Sequence, residues 1–346
     1  MKVFLKAYIN KNLGDDIFID MVSKRYPNTN FLIDGNASYF NNKNLTFYNK
    51  NIFKKIIGKL LYYISFKRVN YETLMSLKCD LSILIGGSMF IENKSENLPI
   101  LKKPLFIIGS NFGPCSSSEY IEKSKKIFSR AADVCFRDKK SYNLFKELPN
   151  VRYSTDIVFS YKNPNIKVKK SKQVIFSVID CDFKEKELGK NYREKYEDTI
   201  LGLINFFQKR RYKIVLMSFC KAQGDEEAIK RIKEKCKSNV SCYFYDGNIE
   251  EAINVIAGSS IVVGTRFHAN ILGMLYGKTI LPIAYSDKTI NILKDMKYKG
   301  KILDVRNLDD FNISSLTDDD LNYKIDISKQ VKLAESHFKN IDKLLK

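Results

Sequence analysis

The feature that most constrains this chain is the alternation of strand-length apolar runs with segments of helical periodicity over almost its whole length. Such alternation predicts parallel β-sheets whose strands are connected by crossover helices. The runs with the composition of buried strands are residues 2–9, 31–34, 81–87, 104–110, 134–138 and 151–157, followed by 173–180, 212–219, 241–247, 260–266, 278–285 and 301–308. The sequence therefore predicts an α/β fold in which one scheme occurs twice.

The two sets of strands are separated by a polar segment without helical or strand periodicity, YKNPNIKVKKSK at 161–172. A chain of 346 residues is also too long for one ordinary core and about right for two domains. We therefore expect an N-terminal domain over 1–162, a linker over 163–172, a C-terminal domain over 173–327 and a terminal helix over 328–346.

Charge and cysteine content limit the function classes. The excess of 59 Lys and Arg over 39 Asp and Glu gives a net charge of +20, which indicates attraction to an anionic partner. The seven cysteines are scattered, contain no C-x-x-C pair and have no nearby histidine, so we expect reduced thiols and no metal site. Nucleic acid is not expected as a partner, because no compact module of basic and aromatic residues is present.

Hydropathy predicts a cytoplasmic protein. No apolar stretch approaches the ~20 residues that a membrane-spanning helix needs. The N-terminal segment turns polar and acidic too early for a signal peptide.

Ligands of open parallel sheets bind at the carboxyl ends of the strands, where loops lead into helix N-termini. Glycines at such positions allow the backbone to approach a ligand closely. The strand-end residues that we expect to line a substrate site are Asn12, Gly14, Asp15, Asp16, Gly87, Ser88, Ser110, Gly113, Arg137, Tyr285 and Lys288.

The segment Gly264-Thr265-Arg266-Phe267-His268 is the strongest single candidate for chemistry. Arginine binds a carboxylate or phosphate through parallel N–H bonds, and histidine donates a proton near neutral pH. The chain has two histidines, and the other, His337, is expected at the surface of the terminal helix. The alternative for His268, that it only packs behind a turn, remains open at this stage.

A succession of short motifs occurs in a fixed order at these strand ends. The motifs are N-x-G-D-D at 12–16, I-G-G-S at 85–88, G-x-x-x-G-P at 109–114, R-D-x-x-S at 137–141, T-D-x-x-F at 155–159, G-x-R-x-H at 264–268 and Y-x-x-K at 285–288. This succession resembles the polysaccharide pyruvyl transferase family. One departure is Ser88, where relatives often have a third glycine.

The resemblance implies two Rossmann-like domains that face each other across a cleft, as in GT-B glycosyltransferases. It also implies phosphoenolpyruvate as the donor substrate and no cofactor. The acceptor would be a sugar of a surface-glycan precursor, such as a capsule or exopolysaccharide unit, in which two hydroxyls are joined as a pyruvate ketal.

Roles for the candidate residues follow from this chemistry. Arg266 is expected to bind the donor carboxylate or phosphate, with Arg137 of the other domain as a second anion clamp. His268 is expected to be the general acid. Lys288 either completes the phosphate site or is an ordinary lysine at a helix start. Alanine at Arg266 or His268 should abolish turnover and leave the fold intact.

Asp15 and Asp16 are candidates for contact with the acceptor. One of these carboxylates could accept a proton from the attacking hydroxyl or hold acceptor hydroxyls. The other interpretation, that Asp15 caps the first helix, stays open.

The segment 52–68, IFKKIIGKLLYYISFKR, has apolar residues on one helical face and basic residues around it. It predicts either a helix on the inner face of an anionic membrane, where lipid-diphosphate-linked acceptors would lie, or an ordinary crossover helix packed on the sheet.

Two other functions are compatible with parts of the pattern. A GT-B glycosyltransferase that uses a nucleotide sugar would have the same architecture, but such enzymes usually carry a ribose-binding glutamate, and residues 269–274 contain no carboxylate. A non-catalytic protein that binds a polyanion or a membrane would account for the charge alone.

Overall fold

The computed structural model of this chain describes residues 1–35, 37–48, 52–65, 69–92, 101–166 and 171–346. These residues form two compact units. Unit 1 comprises Met1–Ile9, Asp15–Tyr161 and Gln330–Lys346, and unit 2 comprises Asn10–Gly14 and Lys162–Lys329. The sequence-based division placed residues 10–14 in the first domain and set the terminal helix apart. In the structure, residues 10–14 pack with unit 2, and the C-terminal residues pack on unit 1.

The sheet of unit 1 has seven strands in the described residues, and all of their pairings are parallel. In chain order they are β1 (Lys2–Lys6), β2 (Asn30–Asp34), β3 (Leu45–Tyr48), β4 (Leu81–Ile85), β5 (Leu105–Ser110), β6 (Asp133–Phe136) and β7 (Val151–Tyr153). Their order across the sheet is β3-β2-β1-β4-β5-β6-β7. The strand order therefore reverses direction between β1 and β4, as in Rossmann-like folds.

The helices of unit 1 are α1 (Leu13–Arg25), α2 (Ile52–Ile64), α3 (Tyr71–Ser76), α4 (Ser118–Phe128) and α5 (Lys139–Phe145). The first two residues of α1, Leu13 and Gly14, belong to unit 2, and the rest of the helix belongs to unit 1. Strands β4 and β6 are buried along their whole length, which explains why apolar residues occupy consecutive positions at 83–85 and 134–136 instead of alternating with polar ones.

Unit 2 repeats the scheme with six parallel strands in the described residues. The strands are β8 (Gln173–Ser177), β9 (Lys213–Met217), β10 (Ser241–Tyr243), β11 (Ile261–Gly264), β12 (Thr279–Ala284) and β13 (Leu303–Asp304), and their order is β10-β9-β8-β11-β12-β13. The helices are α6 (Glu185–Leu188), α7 (Arg193–Lys209), α8 (Asp225–Lys235), α9 (Ile249–Ala257), α10 (Phe267–Leu275), α11 (Asp287–Asp295) and α12 (Asp318–Asn322). The order reverses between β8 and β11.

Each of the apolar runs identified in the sequence overlaps a strand, so the predicted α/β scheme is confirmed in both units. The sequence analysis missed β3. This edge strand is four residues long, and Tyr48 is its one buried residue, so it lacks the continuous apolar run that marks the interior strands. In the part of the chain described here, no helix combines the length and apolar character needed to span a membrane.

The C-terminal segment is held on unit 1 by α13 (Ser328–Ala334), α14 (Lys339–Leu345) and the turn between them. Arg25 pairs with Glu335 and Asp342 at 2.8 and 2.7 Å. His337 was expected at the surface, and that prediction is wrong, because its imidazole is fully buried. Its Nδ1 accepts a hydrogen bond from the Gly109 amide at 3.3 Å, and its Nε2 lies 2.7 Å from the Thr155 carbonyl. Burial lowers the pKa of His337 to about 3.

Candidate active site

The candidate active site lies in unit 2, at the carboxyl ends of β8 and β11, where the strand order reverses. Parallel sheets of this kind bind ligands at such a point because the neighbouring loops diverge there and leave a crevice. The loop after β11 leads directly into α10, which begins at Phe267. Arg266 occupies the N-cap position of α10, so the backbone amides at the positive end of the helix dipole follow it directly in the chain.

Arg266 is buried and held by two side chains from the loop that follows β9. Its guanidinium forms an ion pair with Asp225 through Nε, at 3.0 Å, and through Nη2, and its Nη1 donates to Gln223. Burial opposes the charge, but the carboxylate of Asp225 outweighs this effect and raises the pKa of Arg266. Arg266 is therefore a permanently charged group with a fixed orientation.

Asp225 and Gln223 were not identified from the sequence. Asp225 begins α8 and is fully buried, and its Oδ2 also accepts the backbone N–H groups of Phe219 and Cys220 at 2.9 Å each. The sequence showed an acidic helix start at this position, GDEEA, which is the usual pattern of a helix N-terminus. Nothing in that pattern indicates that the carboxylate faces an arginine 41 positions further along the chain.

A second cation, Lys184, was also missed by the sequence analysis. It lies in the turn after β8 and is only 7% exposed, which is unusual for a lysine. Its Nζ donates to Gln223 Oε1 at 3.1 Å, so Lys184 and Arg266 share one acceptor. The same Nζ lies 5.4 Å from the ring centroid of Tyr285, which follows β12. Lys184 therefore adds a second positive charge close to Arg266.

His268 lies in the first turn of α10. It contacts Gly14 in the short N-terminal segment, residues 10–14, that belongs to unit 2. The imidazole lies so close to Gly14 that an added Cβ would overlap Nδ1, so this position requires glycine. This segment is fixed to the sheet of unit 2 by the Leu13 amide, which donates to the Phe219 carbonyl at 3.0 Å. Asn12 Oδ1 accepts the Gly14 amide at 3.2 Å. The structure thus places Gly14, which Asn12 holds, against His268, a residue that follows Gly14 by 254 positions in the sequence.

Lys288 lies in the first turn of α11, and its Nζ is 4.8 Å from the ring centroid of Phe267. The Phe267 ring also packs edge-on against His268, with 5.1 Å between centroids. Lys288 and His268 therefore contact the same side chain. The described contacts place three cations, Lys184, Arg266 and Lys288, around the start of α10, and Asp225 offsets one of these charges.

Arg137 has a different environment in unit 1. Its side chain has no exposed surface, and it donates to Asp156 at 2.8 Å and to Asn111 at 2.7 Å. The guanidinium lies against Gly87, where an added Cβ would overlap it. In this arrangement Arg137 connects the loops after β4, β5 and β7, and Gly87 provides the space that the guanidinium occupies.

The remaining candidates of unit 1 occupy positions that differ in exposure. Ser88 is exposed, Ser110 is fully buried in β5, and Gly113 donates its amide to the Phe90 carbonyl at 2.7 Å. Asp16 is fully buried and accepts the Tyr39 hydroxyl at 3.0 Å, and Asp15 is partly exposed.

The first helix is not capped by Asp15. It begins at Leu13, and Asn12 immediately before it accepts the Gly14 amide, which is the contact of an N-cap side chain. Asp15 lies inside the first turn, where a carboxylate interacts favourably with the helix dipole. All seven cysteines are free thiols. Among the residues that the structure describes, no group of three His, Cys, Asp or Glu side chains could hold a metal ion.

Comparison with known proteins identifies the family. The family described as polysaccharide pyruvyl transferase matches residues 12–287. The chain is 23% identical over 284 residues to the amylovoran biosynthesis protein AmsJ of Erwinia amylovora, covering 73% of this chain and 68% of that protein. The UDP-GlcNAc 2-epimerase of Methanocaldococcus jannaschii has a TM-score of 0.56 at 11% identity, covering 99% of this chain and all of that chain. TarM has a TM-score of 0.53 at 11% identity, covering 99% and 98%. At this identity, the structural similarities show the fold alone.

The fold and the site together define an α/β protein of GT-B-like architecture, with a cationic site at the strand ends of its second Rossmann-like unit. The family match covers most of the chain. The chain belongs to the polysaccharide pyruvyl transferase family and is a transferase of polysaccharide biosynthesis.

Proposed function

We propose that this chain transfers pyruvate from phosphoenolpyruvate to two hydroxyls of a sugar in a surface-glycan precursor, forming a pyruvate ketal. The observation that carries the proposal is the convergence of Lys184 and Arg266 on Gln223, next to the helix start that bears His268. Phosphoenolpyruvate presents a carboxylate and a phosphate close together, so its site needs at least two cations and a proton donor.

Arg266 is proposed to bind the donor through the part of its guanidinium that the protein leaves available. A guanidinium has five N–H groups, and the contacts with Asp225 and Gln223 use three of them. In this proposal Asp225 is a positioning residue that orients the remaining two. Lys184 and Lys288 add positive charge for the phosphate, and Arg137 supports the loops of unit 1 without contacting the donor.

His268 is proposed to protonate the donor at its methylene carbon. This step leaves positive charge at the adjacent carbon, which the first sugar hydroxyl attacks. The bond from that carbon to the phosphate oxygen then breaks, and the second hydroxyl attacks the same carbon to close the ketal ring. One hydroxyl proton restores His268, and the other leaves with the phosphate as hydrogen phosphate.

The acceptor hydroxyls are proposed to contact Asp15 rather than Asp16. Asp16 is fully buried and already accepts the hydroxyl of Tyr39, whereas Asp15 is partly exposed. The name of AmsJ, an amylovoran biosynthesis protein, supports a polysaccharide precursor as the acceptor class. An acceptor carried on a lipid diphosphate would suit such a precursor.

Turnover assays with the purified chain test this proposal. Phosphoenolpyruvate is incubated with a panel of lipid-linked and synthetic galactosides and N-acetylhexosamines, and phosphate release is followed together with the product mass. The expected product is heavier than the acceptor by one pyruvate less one water. His268→Gln should lower turnover by about a hundredfold or more. Full activity in this variant would refute the assignment.

Lys288→Ala has a matched control on the same helix. Lys294 lies in the last turn of α11 and is exposed, so Lys294→Ala should leave the Michaelis constant for phosphoenolpyruvate unchanged, whereas Lys288→Ala should raise it. Thermal stabilisation by phosphoenolpyruvate but not by nucleotide sugars distinguishes this function from that of a glycosyltransferase. Stabilisation by a nucleotide sugar alone would favour the second function.

A further inference from the structure

Helix α2 carries a stripe of apolar side chains that the structure leaves exposed. These side chains are 47% to 67% exposed, and we call them the α2 stripe: Ile56, Ile57, Leu60, Tyr63 and Ile64. At 100° per residue they fall within an arc of about 120° on the helix surface. Isolated exposed apolar residues are common, but five large ones on a single helix face mark an interaction surface.

The helix packs on the protein through the side opposite the stripe. Gly58 is buried, and an added Cβ would lie 3.1 Å from the Cβ of Tyr71 at the start of α3. In helical projection Gly58 lies about 160° from the centre of the stripe. The expectation that an ordinary crossover helix buries its apolar face on the sheet therefore does not hold for the described part of α2.

The stripe lies in a basic segment of the chain. Lys59 is exposed, and its position in the helical projection is next to the edge of the stripe. In the sequence, Lys54 and Lys55 precede the stripe and Lys67 and Arg68 follow it, and no acidic residue lies between 52 and 68. The side chains of these four basic residues lie outside the part of the chain that the structure describes. An exposed apolar stripe in a segment that is basic and has no acidic residue fits a surface that is apolar inside and anionic outside.

We propose that α2 binds the surface of an anionic phospholipid bilayer, with the α2 stripe among the acyl chains and Lys59 at the headgroups. A second copy of the chain fits this surface less well. Pairing two identical stripes would bring together two segments that each contain five basic residues and no acidic one, and like charges disfavour association. This inference is independent of the donor and of the reaction proposed above.

Sedimentation of the full-length chain with vesicles tests the inference. The chain should sediment with phosphatidylcholine vesicles that contain phosphatidylglycerol, and much less with phosphatidylcholine alone. The double variant Ile56→Ser/Leu60→Ser should bind the anionic vesicles about tenfold more weakly or worse, because two inserted side chains are lost. Lys59→Glu should weaken binding to the anionic vesicles and leave the weak binding to neutral ones unchanged.

The matched control is Leu77→Ser/Leu344→Ser, which removes two exposed leucines of unit 1 outside the stripe. It should bind vesicles like the unmodified chain, and thermal melting should show that all variants are folded. Three results would overturn the inference: no sedimentation with anionic vesicles, equal binding by the stripe variant, or a dimer in solution that the stripe variant abolishes. Since vesicle binding needs neither donor nor turnover, it fails or succeeds separately from the proposed reaction.

Discussion

Removal of one partner from the Arg266–Asp225 ion pair should destabilise unit 2 strongly. Asp225 is fully buried, and the Arg266 side chain is 7% exposed. Arg266→Ala would leave a buried carboxylate with two backbone amides as its remaining described donors, and Asp225→Ala would leave a buried guanidinium without its counter-charge. Breaking a buried pair in this way costs about 3–5 kcal/mol. The expectation that Arg266→Ala leaves the fold intact is therefore replaced by a loss of stability.

Thermal unfolding measures this loss. For a unit of this size, each kcal/mol lowers the melting temperature by about 2–4 °C, so either alanine variant should melt about 6–20 °C lower. The double variant Arg266→Ala/Asp225→Ala removes both charges together and should be destabilised by clearly less than the sum of the two single changes. The difference is the coupling energy of the pair, for which we expect about 2 kcal/mol or more.

Arg306→Ala is the control for this cycle. Arg306 pairs with Asp304 and Asp287 in the same unit, but its side chain is 34% exposed. Exposed pairs contribute about 0–1 kcal/mol, so this variant should melt within a few degrees of the unmodified chain. Two results would contradict a strengthening of the pair by burial. The stability losses of Arg266→Ala and Asp225→Ala could simply add in the double variant, or each could be as small as the loss in Arg306→Ala.

Gly14→Ala should lower turnover by about tenfold or more, because the added methyl overlaps the His268 imidazole. Helix propensity alone would favour alanine in this first turn by about 1 kcal/mol, so a more stable and fully active variant would contradict the contact. Gly87→Ala should cost about 1–3 kcal/mol of stability, since the methyl overlaps the buried Arg137 guanidinium. His337, with a folded-state pKa of about 3, makes stability depend on pH. Below the ordinary histidine pKa of 6.5, the unfolded chain binds a proton at His337 that the folded chain does not. The stability contributed by the neutral, buried His337 is therefore complete above that pH and is lost as the pH falls, by about 2 kcal/mol at about pH 5.

Two of these predictions have specific controls. Thermal melting of Gly14→Ala separates a lost site from a lost fold. For the pH dependence, His337→Gln keeps a donor for the Thr155 carbonyl and an acceptor for the Gly109 amide but cannot be protonated. Its melting temperature should fall less between neutral pH and about pH 5 than that of the unmodified chain. An identical fall in both proteins would mean that other groups control the acid sensitivity.

Much of the fold was accessible from the sequence because parallel strands that are buried on both faces appear as continuous apolar runs. Strands β4 and β11 are such runs, and the polar residues at their ends, including Arg266 and His268, could be located by position alone. Edge strand β3 was missed because partial burial removes that signal.

The sequence by itself determined the repeated α/β scheme and the strand ends at which the site lies, since both depend on local periodicity. Only the tertiary structure decided which charges meet. Asp225, Gln223 and Lys184 come from loops after β8 and β9 and reach Arg266 because neighbouring parallel strands end at the same edge of the sheet. The burial of Arg137 and His337 and the exposure of the α2 stripe were likewise decided by packing. Contacts between distant segments depend on packing in three dimensions, which short-range sequence patterns do not encode.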